Sequence, residues 1–563
     1  MTSAPSSSAS STSAPFADTV LVSGSLFTAG LAASRPGAVA VAGGRIVAVG
    51  TDDEVLGLRG PRTEVVDLRG GLLVPGFQDA HVHPVAAGVD MLCCDVHHCG
   101  SAEETLRVVA EYAAANPGLP WITGGGWSLE HFPAGTPTRG MLDAVVPDRP
   151  AFLPNRDGHG AWVNTRALEL AGITASTPDP ADGRIEREPD GSPQGTLHEG
   201  AMHLVERLLP TVTAAEQRLG LLAAQEHLFS LGVTSWQDAA VGEMFGQSDL
   251  LPLYRAAAAS GDLRASVVGA LWWDRNRSSD QIADLVERRG DGGTDRFRPT
   301  SVKIMLDGVA ENFTAAMLEP YLDDCGCGTD NSGLDFVDPV GLREYVTRLD
   351  AAGFQVHFHA LGDRAVRHAL DAVEAARAAN GPGGAEHHLA HLQVVHPDDV
   401  ARFAQVGATA NIQALWAAHE HQMDELTIPF LGERRASWQY PFGDLLRAGA
   451  TMAGGSDWPV SSADPLDGIH VAVNRRVPDA EESTEPLYAE QALPLAVALT
   501  AYTAGTARLN GLPGRTGRLE PGAAADLAVL DRDPFAGPAG EIAAATVVAT
   551  YVDGECVFGG VDR

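Results

Sequence analysis

Residues 77–84 read FQDAHVHP. In an extended chain every second side chain falls on one face, so Asp79, His81 and His83 point the same way, and Pro84 then closes the strand. Two imidazoles on one face can share a metal ion. An HxH pair is common by chance, and it gains weight only if this strand ends at the catalytic rim of a larger sheet.

Seven further short apolar runs follow it: 232–238 (GVTSWQD), 265–273 (ASVVGALWW), 301–307 (SVKIMLD), 354–360 (FQVHFHA), 387–392 (HHLAHL), 407–413 (GATANIQ) and 450–457 (ATMAGGSD). Stretches rich in Ala, Leu, Glu and Arg separate most of them, such as PVGLREYVTRLDAAG and RAVRHALDAVEAARAAN. Eight strands alternating with helices predict a (β/α)₈ TIM barrel over residues 75–514. The interval 84–231 is far too long for one helical crossover and is expected to carry an insertion subdomain that shapes the catalytic face. At the two ends, 18–74 and 515–563 share alternating β-branched segments with Gly43-Gly44 and Asp553-Gly554 turns, which predicts one small β-sandwich domain built from both termini. Residues 1–17 are rich in Ser, Ala, Pro and Thr and lack a charged side chain, which reads as a disordered tail.

Polar residues recur at the other strand ends: Lys303 in the fourth, His357 and His359 in the fifth, His391 in the sixth and Asp457 in the eighth. A set of satisfied core and surface polar residues would not concentrate at one rim in this way. Imidazole nitrogens with carboxylate oxygens suit Zn²⁺ or a similar first-row divalent ion.

DAHVHP, SVKIMLDG, HFHALGDRAV, AHLQVVHPDD and GGSDWPVSSADPL, in that order, resemble the serial motifs of the amidohydrolase superfamily. They are most similar to amidohydrolase family 3, the YtcJ-like branch that includes N-substituted formamide deformylase. The resemblance runs from about residue 18 onward and takes in AVAVAGGRIVAVG near the start and GRLEPGAAADLAVLDRDP near the end. It implies that His81 and His83 hold one metal ion, that His359 and His391 hold a second, and that Asp457 ligates the first and moves protons. Lys303 resembles a lysine that becomes N-carboxylated and bridges the ions; an ion-paired lysine in a one-metal site is the alternative. His357 and Asp79 are expected to support ligands rather than bind metal. Trp127 and His159 resemble substrate-contacting positions of the pocket. The chain departs from the family at Ala390, where a glutamate is frequent, and at Ser128, where an acidic residue is frequent.

The implied activity is hydrolysis of a non-peptide amide-type C–N bond, an amide or N-substituted formamide, in a small molecule. Metal ions lower the pKa of water from about 15.7 toward about 7, and the resulting hydroxide attacks the carbonyl. Deamination of an imine-type or heteroaromatic carbon at a single metal is the alternative, and a catalytically inactive binding protein is a third reading. A formal charge of −34, from 73 acidic against 39 basic residues, opposes nucleic-acid binding. No window approaches the roughly 18 apolar residues of a membrane span. Six cysteines in 563 residues, crowded as LCCDVHHCG, fit neither a disulfide framework nor a structural zinc spacing and read as a buried strand of the insertion. A cytoplasmic protein acting on a small molecule, paired as a homodimer, is the expectation.

Overall fold

A computed structural model describes residues 16–560 apart from 157, 244–247, 482 and 513. At its centre are eight strands in chain order: β1 (Phe77–Val82), β2 (Val233–Val241), β3 (Ser266–Trp272), β4 (Phe297–Met305), β5 (Gln355–Ala360), β6 (His388–His391), β7 (Thr409–Ile412) and β8 (Thr451–Gly454). Each neighbour pair from β1 to β8 is parallel. The seam between β8 and β1 is closed just beyond the strand end, where Asp457 N–H donates to His81 C=O at 2.7 Å and His83 N–H to Trp458 C=O at 2.9 Å. The expected TIM barrel is therefore present, with each of its eight strands where the apolar runs lie.

Helices cover the barrel because their apolar residues recur at helical spacing. In helix Pro339–Ala351, capped by the Asp338 carboxylate and opened by Pro339, Leu342, Val346 and Leu349 are buried along one stripe. Helix Asp363–Asn380 buries Val366, Ala369, Leu370 and Val373 in the same way. Truncating one such residue, Leu370→Ala for instance, costs about 2–5 kcal/mol.

The chain ends share one eight-stranded sheet, in which Leu72–Pro75 pairs with Leu527–Leu530 and Ala17–Leu26 with Arg35–Ala42. Leu21, Val39 and Val41 from the N-terminal part pack in one cluster with Leu527, Val529 and Ala549 from the C-terminal part. The first strand begins at Ala17, and residues 1–15, for which a disordered tail was expected, lie outside the described residues.

The segment after β1 forms a six-stranded sheet of its own, from Cys94–Asp95 through Pro193–Glu199, and Cys94, Val96, Trp127 and Trp162 belong to its core. Within LCCDVHHCG only Cys94–Asp95 is strand, with Cys94, Val96 and Cys99 buried and Leu92 exposed, and all six cysteines of the chain are unpaired. Among the described residues no helix is long and apolar enough to cross a membrane.

Candidate metal centre

The C-terminal ends of β1, β4, β5 and β6 and the loop after β8 meet in a cavity of about 230 Å³ lined by His81, His83, Lys303, His359, His391 and Asp457. The insertion supplies the opposite wall through Gly126, Arg156, His159 and Glu199. Glycine is needed at 126, where φ is 101° and a Cβ would lie 2.3 Å from the His97 ring that also lines the cavity.

Two of the groups stand on left-handed backbone, His391 at φ 80° and Asp457 at φ 60°. Non-glycine residues tolerate that region only when neighbours hold them there. His391 N–H donates to Gln413 Oε1 at 2.7 Å and Asp457 N–H to His81 C=O. Asp79 completes the seam, its Oδ1 accepting from the backbone N–H groups of His81 (2.9 Å) and Ser456 (3.0 Å). It pins the two ligand-bearing segments together, a supporting role reached through the backbone rather than through an imidazole.

Asp457 Oδ1 lies 3.1 Å from His81 Nε2 and 3.2 Å from His83 Nε2. One ligand atom from each of the three residues falls within 4.8 Å of the others. Asp457 Oδ1 nevertheless has no donor in hydrogen-bonding geometry, and neither ring nitrogen of the buried His391 has a partner. Buried polar atoms are rarely left so. An orphaned carboxylate oxygen among converging imidazole nitrogens is the arrangement a cation would satisfy.

His359 and His391 face each other with ring centroids 4.5 Å apart, and His391 Nδ1 is 3.8 Å from Asp457 Oδ2. Behind His359, the Asp307 carboxyl sits 3.4 Å from its Nδ1 without a hydrogen bond to it, held by the backbone N–H groups of Ala316, Leu361 and Gly362. Burial keeps these rings neutral: it pushes His81 down to about 3, aided by the nearby Lys303, and holds His359 and His391 well below the usual imidazole value. Neutral imidazole is the form that binds metal.

Lys303 is buried with Nζ 3.3 Å from His81 Nε2, and burial lowers its amine to about 7. His357 turns away from the cavity, its Nε2 2.9 Å from His81 Nδ1 and its ring centroid 4.1 Å from that of His388 with the planes tilted by 40°. Below them the barrel interior is polar, with His388 Nε2 3.0 Å from Gln237 Oε1 and Gln237 Nε2 2.9 Å from Gln355 Oε1.

Of the two expected substrate contacts, only His159 reaches the cavity. Its Nδ1 is 3.1 Å from both Glu199 oxygens, and its ring centroid is 5.8 Å from that of His359. Trp127 does not: it is fully buried in the insertion, donates its indole N–H to Leu153 C=O at 2.7 Å and meets Trp162 and Phe132 edge-on. The resemblance implied a substrate contact, but the apolar partners of its own sheet enclose it. Sequence reading passed over Asp238, at the cavity edge of β2 with Tyr254 Oη donating to it at 2.6 Å, Glu199 and Arg156 in the cavity wall, and Asp307 beside His359, and it read His97 only as part of a buried strand. Asp238 and Asp307 do end apolar runs at the same rim as the histidines, a signal that was available.

A TIM barrel with neutral imidazoles and a carboxylate converging at its C-terminal rim defines a metal-dependent hydrolase. The chain belongs to the amidohydrolase family, whose profile matches residues 64–558. It is 30% identical over 555 residues to Protein LONG AFTER FAR-RED 3 of Arabidopsis thaliana, covering 96% of this chain and 92% of that one. It is also 30% identical over 553 residues to the N-substituted formamide deformylase of Arthrobacter pascens, covering 95% and 97%. An uncharacterized metal-dependent hydrolase from Pyrococcus horikoshii superimposes with a TM-score of 0.70 at 26% identity, covering 93% of this chain and 99% of that one.

Proposed function

We propose that this protein hydrolyses a non-peptide, amide-type C–N bond of a small molecule, with N-substituted formamides and related amides as its substrates. The observation that carries this reading is the convergence of His81, His83 and Asp457, with the His359–His391 pair across the cavity and a buried, near-neutral Lys303 between them. The end-to-end similarity to an N-substituted formamide deformylase supports the substrate class.

His81, His83 and Asp457 would hold one divalent ion and His359 with His391 a second, Zn²⁺ being favoured by the nitrogen-rich donor set. A divalent ion held there supplies Lewis acidity, lowering the pKa of water toward neutrality and polarising a carbonyl oxygen. Lys303 would contribute as its carbamate, its unprotonated Nζ adding CO₂ and losing a proton to offer an anionic oxygen donor. Asp457 takes the proton of the attacking water on a carboxylate oxygen and delivers it to the departing nitrogen, which as an amide anion is a very poor leaving group. His159, held by Glu199, faces the reacting carbonyl from the insertion.

A one-ion deaminase of an imine-type or heteroaromatic carbon is the second reading, because only His81, His83 and Asp457 form a three-ligand cluster among the described residues. Elemental analysis of protein expressed with ample zinc and bicarbonate, followed by an amide and formamide screen, separates the two. Two ions per chain with release of an amine from formamides is the expected result. One ion with ammonia release from a heteroaromatic substrate and no amide turnover overturns it.

A further inference from the structure

A second cavity of about 270 Å³ lies beside the metal centre. Arg156 and Val460 wall both, and a single loop serves both: Asp457, Pro459 and Val460 face the first, Val460, Ser461 and Ser462 the second. Between them stands Trp416, a wall of the second cavity whose indole is stacked on the His391 ring at 5.3 Å with the planes 10° apart. Residues 457–462 thus run from the Asp457 end of the first cavity along the wall of the second.

Its surface combines aromatic and apolar side chains, Trp416, Tyr440, Leu415 and Met423 among them, with the carboxylates of Glu311 and Glu420. Glu311 is fixed in place, its Oε1 accepting from Thr427 Oγ1 at 2.9 Å and Gln393 Nε2 at 3.4 Å. Both of these donors are neutral groups that orient the carboxylate. Glu420 is exposed. The cation of the lining is Arg156, at the boundary with the first cavity, where its Nη2 donates to His97 C=O at 2.8 Å. Among the described residues no lysine or histidine lines the space. Desolvation by the surrounding protein and the neighbouring Glu130 raise the Glu420 carboxyl to about 7, so above that pH two carboxylates face one guanidinium and the lining is net negative, and aromatic faces add attraction for a cation.

We propose that this second cavity is the subsite for a positively charged substituent of the substrate, so that the molecules turned over are acylated amines carrying a second, protonated or quaternary nitrogen on an aryl or alkyl stem. The identity of the scissile bond rests on the hydrolase reading above; the cation preference rests on the second cavity.

Calorimetric titration of the metal-loaded, full-length protein with three ring compounds of different charge tests the subsite without turnover. Benzyltrimethylammonium, which has no lone pair to offer a metal ion, is compared with benzyl alcohol and benzenesulfonate. The ammonium is expected to bind about tenfold more tightly than the alcohol, with the sulfonate weakest. Glu420→Gln should remove most of that preference and Glu420→Lys should turn it toward the sulfonate, while Glu311→Gln, which keeps the accepting Oε1, gives a second reading of the lost charge. Equal binding of ammonium and alcohol, or a preference unchanged in both glutamine variants, overturns the subsite. Turnover of N-benzylformamide and its 4-aminomethyl derivative then separates the two ideas. Equal KM for both overturns the subsite and leaves the hydrolase intact, whereas ammonium binding without hydrolysis of either compound keeps the subsite and removes the amide-hydrolase reading.

Discussion

Asp457 Oδ1 stands 3.1 Å from Nε2 of His81, across the seam where the barrel closes and from the far end of its sequence. The same two residues are joined through their backbones, Asp457 N–H to His81 C=O at 2.7 Å. Closing the barrel and assembling the ligand cluster are thus one structural event.

Replacing Asp457 with Asn keeps the size of the side chain and its backbone bond to His81 but removes the proton acceptor. Turnover should fall by about 10²–10⁴, with thermal unfolding little changed. A fully active Asp457→Asn enzyme would exclude the proton-carrying role.

Lys303 should carry a carbamate when the protein is loaded in bicarbonate. The amine must be unprotonated to add CO₂, and burial brings it to about 7, so assembly from metal-free protein should be efficient at pH 8 and slow at pH 6. Protein prepared with ¹³C-bicarbonate should show a carbamate carbon resonance that Lys303→Gln lacks, together with two ions in wild type and one in the variant. Two ions in Lys303→Gln would show that the lysine is not a bridge.

For His81 to present Nε2 to a metal ion, its proton must reside on Nδ1 and be donated to Nε2 of His357, 2.9 Å away. His357→Gln retains an acceptor and should keep metal affinity within a few-fold of wild type. His357→Phe removes the acceptor and should weaken binding by about 10–100-fold in chelator competition. Equal affinities in the two variants would make His357 a packing residue.

Asp350 ties helix Pro339–Ala351 to helix Asp363–Asn380, accepting from Arg377 Nη1 at 3.1 Å and Asn380 Nδ2 at 2.9 Å, and to the start of β6, with His387 Nε2 3.0 Å away. Burial alone raises this carboxyl, but the bonds from His387 and Asn380 outweigh it and hold it at about 2. A depressed carboxyl stabilises the fold above its ordinary value near 4 and loses that contribution as pH falls through about 2. Asp350→Asn should therefore cost about 2 kcal/mol at pH 7, and the gap from wild type in urea unfolding should close between pH 4 and pH 2. A gap independent of pH would assign the loss to packing.

The barrel was legible because its cues are local. A period of two marks a strand, a period near 3.6 marks its covering helix, and HxH in 81–83 or the His391 and Asp457 strand ends stand out one element at a time. The insertion was legible only as a length that one crossover cannot fill. Trp127 shows the limit: the resemblance implied a substrate contact, and only its six-stranded sheet reveals the indole bonded to Leu153 and enclosed.

By itself the sequence determined eight strands, the rim on which His81, His83, Lys303, His359, His391 and Asp457 stand, and the family. Tertiary structure alone decided which of these atoms meet. It set His391 and Asp457 on left-handed backbone, turned His357 behind His81, placed Asp307 behind His359, and brought Arg156, His159 and Glu199 over the cavity from a separate sheet. The reason is physical: strand and helix periodicities are set by neighbours within a few residues, whereas ligand geometry depends on hydrogen bonds between segments hundreds of residues apart, which exist only once the barrel has closed.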